Sequence, residues 1–149
     1  MIYSYSKSHS LKINLDKTQA ICFGDIDITN VRPISINRSV ISCSRIVKSL
    51  GVFVGQNMRF REHILLICKK SYMALRSLYL NNDVLNPSLR RALCESLVLS
   101  HANYADVLYG PCLDVVSSNR IQKIQNCYVR FILSLPRREN ISPKLREFG

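Results

Sequence analysis

The first 58 residues contain short apolar runs separated by turn-forming residues, a pattern typical of β-strands. The apolar run that begins at Ala20 ends in Gly24, and the segment from Pro33 alternates apolar and polar side chains. The predicted strands cover residues 20–24, 33–37, 40–42 and 46–54. This spacing predicts a small antiparallel sheet of three or four strands.

From residue 59 onward the apolar residues follow the 3.6-residue period of α-helices. One helix is predicted over 60–80. A second is capped by Asn86, opens at Pro87 and ends by Gly110, and a third lies between Asp114 and Pro136. The predicted core stripes are Phe60, Ile64, Ile67, Cys68, Leu75, Leu78 and Tyr79 in the first helix, Leu89, Leu93, Leu97 and Tyr104 in the second, and Ile121, Ile124, Tyr128, Phe131, Ile132 and Leu135 in the third.

Amphipathic helices with short connections predict a helical bundle. The predicted fold class is therefore α+β, with a small antiparallel sheet followed by a three-helix bundle. The predicted domains are residues 1–58, residues 59–135, and a loosely ordered tail at 136–149.

The chain is strongly basic, with 21 Lys and Arg against 10 Asp and Glu and a net charge of +11. Lys and Arg exceed Asp and Glu in every third of the sequence, so the excess does not come from one basic tail. A distributed positive charge favours a polyanionic partner such as nucleic acid. The alternative interpretation is a soluble protein whose charged helix faces are only hydrated.

The six cysteines form no CxxC pair and no zinc-ligand spacing with histidine. Most lie within apolar runs, so we predict small core residues in a reducing compartment. The sequence contains neither an apolar segment of signal-peptide type at its start nor one of membrane-spanning length. We therefore expect an intracellular protein of the cytoplasm or nucleus, or both, with no membrane partner.

Two short motifs resemble segments of non-LTR retrotransposon reverse transcriptases of the jockey-like or LINE type. Residues 11–21, LKINLDKTQAI, resemble the "LKIN-xx-KT" segment called motif D. Residues 47–52, VKSLGV, resemble the "K-x-LG-V" of motif E, the primer grip. Residues 57–64, 100–104 and 121–130 are similar to segments that follow in the thumb and beyond. The resemblance covers roughly residues 9–147, in the order of the family.

The resemblance implies that residues 1–58 are the carboxy-terminal edge of a polymerase palm and that the bundle is a thumb. The family performs two-metal nucleotidyl transfer, in which carboxylates hold two Mg²⁺ ions. Its Tyr-x-Asp-Asp box lies upstream of motif D and is absent from this sequence. Tyr104-Ala105-Asp106 has one aspartate only and falls in the second predicted helix. We therefore expect no cofactor on this chain, with Mg²⁺ in the full-length polymerase only, and no activity of the chain alone.

By the same resemblance, Lys17 approaches the triphosphate and protonates or stabilises the leaving pyrophosphate. The alternative is a lysine at the start of a strand that faces solvent. Asn14 is expected to hold the preceding turn through side-chain to backbone hydrogen bonds.

The resemblance assigns primer support to Lys48, Leu50, Gly51 and Val52, where glycine permits close approach of another backbone. The alternative is an ordinary buried strand with a bulge. Backbone contacts to a template–primer duplex are expected from the cations of the first and third helices. These cations are Lys69, Lys70, Arg76, Arg120, Lys123 and Arg130.

Two hypotheses about function follow. In the first, the chain is a fragment of an RNA-directed DNA polymerase whose partners are the RNA/DNA template–primer duplex and the rest of the polypeptide. In the second, it is a stand-alone basic module that binds nucleic acid or protein without catalysis.

Overall fold

The computed structural model describes residues 2–36, 38–136 and 139–141. The chain forms two compact units, Met1–Arg59 and Phe60–Gly149. Short strands occupy the first unit and long helices the second, so the protein is a mixed α+β chain with small sheets. The predicted tail at 136–149 lies outside the described residues except for Pro136 and residues 139–141, of which Ile141 is buried.

The first unit begins with a helix that the sequence pattern did not predict, α1 (Ile2–Ser8). The six strands described in the first unit are short, with two to four residues each. They are β1 (Ala20–Ile21), β2 (Ile34–Ile36), β3 (Ser39–Ile41), β4 (Cys43–Ser44), β5 (Ile46–Ser49) and β6 (Val52–Gly55).

Within the described ranges the strands pair two by two instead of forming one sheet. β2 and β3 form one antiparallel hairpin and β5 and β6 another, whereas β1 and β4 run parallel, with Ala20 opposite Cys43. The prediction of one antiparallel sheet is therefore wrong. Pairs this short cover little apolar surface, and the buried strand residues in the described part are Ile41, Val52 and Gly55.

The predicted strand over 46–54 is a hairpin, because the chain turns at Leu50 and Gly51. Ser49 lies opposite Val52, which leaves Leu50 (φ +46°) and Gly51 (φ +85°) as a two-residue turn. Positive φ at both positions defines the type I′ turn that suits the twist of a hairpin, and glycine adopts it without steric cost. Leucine is unusual at such a position, and Leu50 is 89% exposed. Because this residue is apolar, the sequence pattern predicted a continuous strand and no turn.

The second unit contains three long helical segments among its described residues, and these pack on one another. The predicted three-helix bundle is confirmed, although no observation identifies it as a thumb. Its helices are α2 (Arg61–Leu80), α3 (Pro87–Cys94), which continues through a π-helical segment (Glu95–Leu99) into α4 (Ser100–Asn103), the short α5 (Asp106–Tyr109), and α6 (Val115–Ile132).

Contacts at both ends of the bundle give its direction. Arg61, at the start of α2, pairs with Asp114 at the start of α6, with 2.8 Å between Nη2 and Oδ2. At the other end, the rings of Tyr79 and Phe131 meet edge to face with centroids 4.8 Å apart. α2 and α6 therefore run parallel. The α3–α4 segment begins where α2 and α6 end, because Arg90 near its start lies over the Phe131 ring at 5.7 Å. It therefore runs in the opposite direction to these two helices.

Both predicted helix caps are confirmed. Asn86 Oδ1 accepts a hydrogen bond from the Leu89 backbone N at 2.8 Å, and Pro87 occupies the first helical position. Asp114 Oδ1 accepts from the Ser117 backbone N at 2.8 Å. Hydrogen bonds from Ser117, and then the guanidinium of Arg61, lower the pKa of Asp114 to about 2.

The predicted core stripe of the second helix is wrong by one residue. Leu89 and Leu97 are about half exposed, while Cys94 and Val98 are fully buried. Arg90 holds the inward position one turn before Cys94, because carbonyl oxygens at Asn82 and Leu85, together with the Ser134 hydroxyl, accept its guanidinium hydrogen bonds. The pattern of apolar residues along a sequence does not reveal an arginine whose guanidinium group is hydrogen-bonded within a bundle.

This helix also ends earlier than predicted. α4 stops at Asn103, Tyr104 has extended backbone, and Ala105 adopts a left-handed conformation with φ +58°. A residue with a side chain rarely adopts this conformation, and here it redirects the chain into α5. The Tyr104-Ala105-Asp106 segment therefore lies at a helix break, not within a helix.

The predicted cores of the first and third helices are largely confirmed. Phe60, Ile64, Ile67, Cys68, Leu75 and Leu78 are buried, as are Ile124, Phe131 and Ile132. Ile121, Tyr128 and Leu135 are half buried, and α6 ends at Ile132, before Pro136. Tyr79 departs from the prediction because 49% of its surface is exposed.

The cysteine prediction holds for Cys68 and Cys94, which are buried, and fails for Cys112, which is exposed. Burial raises the pKa of the Cys94 thiol to about 11, so this thiol stays protonated. Cys22, Cys43 and Cys127 are half buried.

Among the buried polar residues that the sequence pattern missed is His63, in the first turn of α2. It is 3% exposed, and neither ring nitrogen has a hydrogen-bond partner in the described part of the chain. Its ring meets Tyr109 edge to face at 5.3 Å. Burial, and then the positive charge of Lys70, lower the pKa of His63, so the imidazole is neutral in the folded chain.

Acidification is expected to destabilise the second unit through His63. The unfolded chain binds a proton near pH 6.5 while the folded chain resists it, so stability is complete above that pH and falls below it, by at most about 1.4 kcal/mol per pH unit. Urea unfolding at pH 7 and pH 5 measures the loss. His63→Phe keeps a ring beside Tyr109 and is expected to abolish this dependence, whereas His9→Ala, in the first unit, is expected to retain it. An equal pH dependence in His63→Phe would refute the assignment.

Candidate nucleic-acid interface

Several cations of the second unit are engaged within the bundle. Arg61 pairs with Asp114, and Arg91 pairs with Glu95 one helical turn away at 2.9 Å. Arg90 donates to backbone carbonyls and the Ser134 hydroxyl. These three arginines stabilise the bundle and are poorly placed to hold a ligand.

The remaining helical cations lie on α2 and α6. Neither helix contains an aspartate or glutamate after Glu62. Among the described residues, Lys69, Arg76, Arg120 and Lys123 form no ion pair with a carboxylate. Positive charge on these helices is therefore not neutralised locally, and it is available to an anionic partner.

The same spacing of side chains occurs on both helices. Positions 69, 72, 76 and 79 of α2 are Lys, Tyr, Arg and Tyr, and positions 120, 123, 127 and 130 of α6 are Arg, Lys, Cys and Arg. Steps of three, four and three residues keep each set on one side of a helix. Because the two helices run parallel, the two stripes extend in the same direction.

The stripes meet at a cavity of about 600 Å³ on the surface of the second unit, named here the α2–α6 groove. Two cations, Arg76 from α2 and Arg130 from α6, belong to its wall. The groove is lined by Tyr72, Leu75, Arg76, Tyr79, Cys127, Arg130 and Leu135. It combines an apolar floor with guanidinium groups from both helices.

Arg130 is held in place only in part. Its Nη2 donates to the Glu139 carbonyl oxygen at 3.4 Å, while its Nε is buried without a described hydrogen-bond partner. Burial raises the pKa of the neighbouring Tyr79, and the Arg130 charge partly opposes that rise. Burial also raises the pKa of Cys68, and the positive charge of Arg120 partly opposes that rise. Both arginines of α6 are therefore close to α2.

The six cations predicted from sequence are not equivalent. Arg76 and Arg130 line the groove, and Lys69, Arg120 and Lys123 continue its two stripes. Lys70 lies about 100° around the helix from Lys69, on the side where its charge acts on His63. The sequence pattern did not indicate Tyr72 as a lining residue, and it predicted Tyr79 to be a core residue. Their spacing from Lys69 is the signal that would have found them.

In the first unit, Lys17 ends a 3₁₀ turn (Leu15–Lys17), and its side chain is exposed. Its backbone N donates to Asn14 Oδ1 at 3.2 Å, which confirms the predicted role of Asn14 in the turn. Gln19 Oε1 accepts from the Lys48 backbone N at 3.3 Å. The segments that resemble motifs D and E are therefore neighbours in this unit.

The hairpin of β5 and β6 presents the predicted primer-grip residues. Leu50 and Gly51 form its exposed tip, and Val52 is buried beneath it. Lys48 Nζ lies 5.5 Å from the centroid of the Phe53 ring on the opposite strand, a cation–π contact that orients the lysine. The alternative of an ordinary buried strand with a bulge does not describe this turn.

No group of three His, Cys, Asp or Glu side chains that could hold a metal ion occurs among the described residues. The expectation that Mg²⁺ binds only in a full-length polymerase therefore stays a prediction. No described helix is long and apolar enough to cross a membrane.

Comparison of the chain with protein-family models, with curated proteins and with solved structures finds no match.

Proposed function

We propose that the α2–α6 groove and its two cationic stripes bind the sugar–phosphate backbone of nucleic acid. The observation that supports this most directly is the pairing of two parallel helices that are free of carboxylates beyond Glu62. Cations placed along a groove attract phosphates and release counterions, which gives affinity without recognition of base sequence.

We further propose that the chain is a template–primer-binding part of a non-LTR retrotransposon reverse transcriptase. This step rests on the motifs around Lys17 and Lys48, which are neighbours in the first unit. The tip at Leu50 and Gly51 is exposed, which would leave it accessible to a primer end. In the complete polymerase, Lys17 is proposed to stabilise the leaving pyrophosphate. The two Mg²⁺ ions would be held by carboxylates that this sequence does not contain.

A stand-alone nucleic-acid-binding module is the second candidate, and the cations of α2 and α6 that pair with no described carboxylate favour it equally. The two proposals share the groove. They differ in whether the chain needs the rest of a polymerase polypeptide to act.

The function is tested by fluorescence anisotropy with a primed RNA–DNA duplex over a series of salt concentrations. We expect binding whose logarithmic affinity falls linearly with the logarithm of the salt concentration. Primer extension with Mg²⁺ and deoxynucleotides is expected to be absent. Failure to bind at low salt would overturn the groove proposal, and extension by the chain alone would overturn the proposal that its catalytic carboxylates lie elsewhere.

A further inference from the structure

Two cysteines of the first unit lie in direct contact. Cys22 follows β1 and Cys43 begins β4, and the parallel pairing of Ala20 with Cys43 brings the two thiols together. Their Sγ atoms are 3.0 Å apart, both side chains are half buried, and both cysteines are free. A disulfide bond measures about 2.0 Å, so bonding requires the two sulfur atoms to approach by roughly 1 Å.

We propose that Cys22 and Cys43 form a redox site that closes to an intramolecular disulfide by exchange with a low-molecular-weight disulfide. This proposal is independent of nucleic-acid binding. Unlike the buried Cys68 and Cys94, these two cysteines are partly accessible and adjacent.

The exchange occurs in two balanced steps. The thiolate of one cysteine attacks a sulfur of the external disulfide, forming a mixed disulfide and releasing one small thiolate, which takes up a proton. The second cysteine then loses its proton and attacks the protein sulfur of that mixed disulfide, releasing the second small thiol. Two protein thiols are oxidised, and one external disulfide is reduced to two thiols.

A hydrogen bond with Cys22, and then burial, raise the pKa of Cys43. A raised pKa lowers the fraction of Cys43 that is present as the thiolate, the form that attacks a disulfide.

Selectivity over Cys68, Cys94 and Cys112 follows from their surroundings. Cys68 and Cys94 are buried, and burial raises the pKa of each. Cys112 is exposed, and no hydrogen bond joins its thiol to another thiol among the described residues. Oxidation at Cys112 would therefore yield mixed disulfides or links between molecules.

The crosslink would constrain a unit that has little core. Ile41 and Val52 are the buried apolar side chains of the first unit among those described, and β1 and β4 are joined through two residue pairs. A bond between Cys22 and Cys43 would close a ring around the β2–β3 hairpin. Such a ring lowers the entropy of the unfolded chain, which favours the folded unit.

The bond is tested on the full chain, reduced and then incubated with oxidised glutathione, alkylated and digested with trypsin. Cleavage after Lys17, Arg38 and Arg45 places Cys22 in peptide 18–38 and Cys43 in peptide 39–45. We expect these two peptides as one disulfide-linked species, lost in Cys43→Ser and retained in Cys112→Ser. Glutathione adducts on both cysteines without the link, or equal linkage to Cys112, would overturn the proposal.

Limited proteolysis of the intact chain provides a second measurement that needs no substitution. Cleavage at Arg38 is expected to be slower by at least about tenfold in the oxidised than in the reduced wild-type protein, because the ring suppresses local opening. Equal cleavage rates in a sample that mass spectrometry shows to be crosslinked would refute the stabilising role.

Discussion

Replacing Lys69 and Arg76 together by alanine is expected to weaken binding of a primed RNA–DNA duplex by roughly 10- to 100-fold at low salt. Both residues belong to the stripe of α2 that borders the groove, and neither has an ion-pair partner among described carboxylates. Loss of two phosphate contacts also lowers the slope of logarithmic affinity against logarithmic salt concentration, by about 0.7 to 0.9 for each contact.

The matched control is Lys70→Ala with Arg91→Ala, which removes the same net charge from α2 and α3. Lys70 lies around the helix from the groove, and Arg91 is paired with Glu95. This variant is expected to change affinity by a few-fold only. If both double variants lose the same affinity and the same salt slope, the binding arises from overall charge and the groove has no special role.

Only some properties of such a binding stripe can be predicted from a sequence. The charge of the two helices and the absence of carboxylates between His63 and Leu80 are explicit in the residues. That α2 and α6 run parallel with their stripes adjoining is a tertiary fact, set by contacts such as Arg61 with Asp114. The sequence therefore identified the cations but not which of them share a surface.

Local signals were decisive where one residue determines the backbone. The caps at Asn86 and Asp114 and the turn held by Asn14 followed from side-chain chemistry within three residues. The first-unit pairing was not predictable in this way. The parallel pairing of β1 with β4 joins residues more than twenty positions apart, so no single local turn sets the partner.

Errors in the helical core have a different cause. The Arg90 guanidinium donates to the carbonyl oxygens of Asn82 and Leu85 and takes an inward position. The neighbouring Leu89, which the pattern predicted as inward, is about half exposed, and Val98 is buried in place of Leu97. The π-helical segment Glu95–Leu99 follows, and it departs from the α-helical period that the pattern assumes. Periodicity predicted the helix and its approximate length better than its inward face.

Phe131→Ala is expected to lower the free energy of unfolding of the second unit by about 3 to 5 kcal/mol, the cost of removing a large buried aromatic side chain. Phe131 is 1% exposed, meets the Tyr79 ring edge to face and lies beneath the Arg90 guanidinium. Its removal leaves a cavity where α2, α3 and α6 meet. Urea unfolding followed by circular dichroism measures the change, with exposed Val116→Ala of the same helix as control, expected to lose less than about 1 kcal/mol.

The same position links stability to the groove. Tyr79 lines the groove and rests on the Phe131 ring, so a change at residue 131 alters a lining side chain without removing a cation of the groove. Phe131→Leu fills more of the space than alanine and is expected to keep the chain folded at 25 °C. If phosphate contacts dominate binding, this variant retains the salt slope of the wild type and weakens affinity only slightly. A large loss of affinity with an unchanged slope would instead assign the main part of the binding to the tyrosine-lined floor.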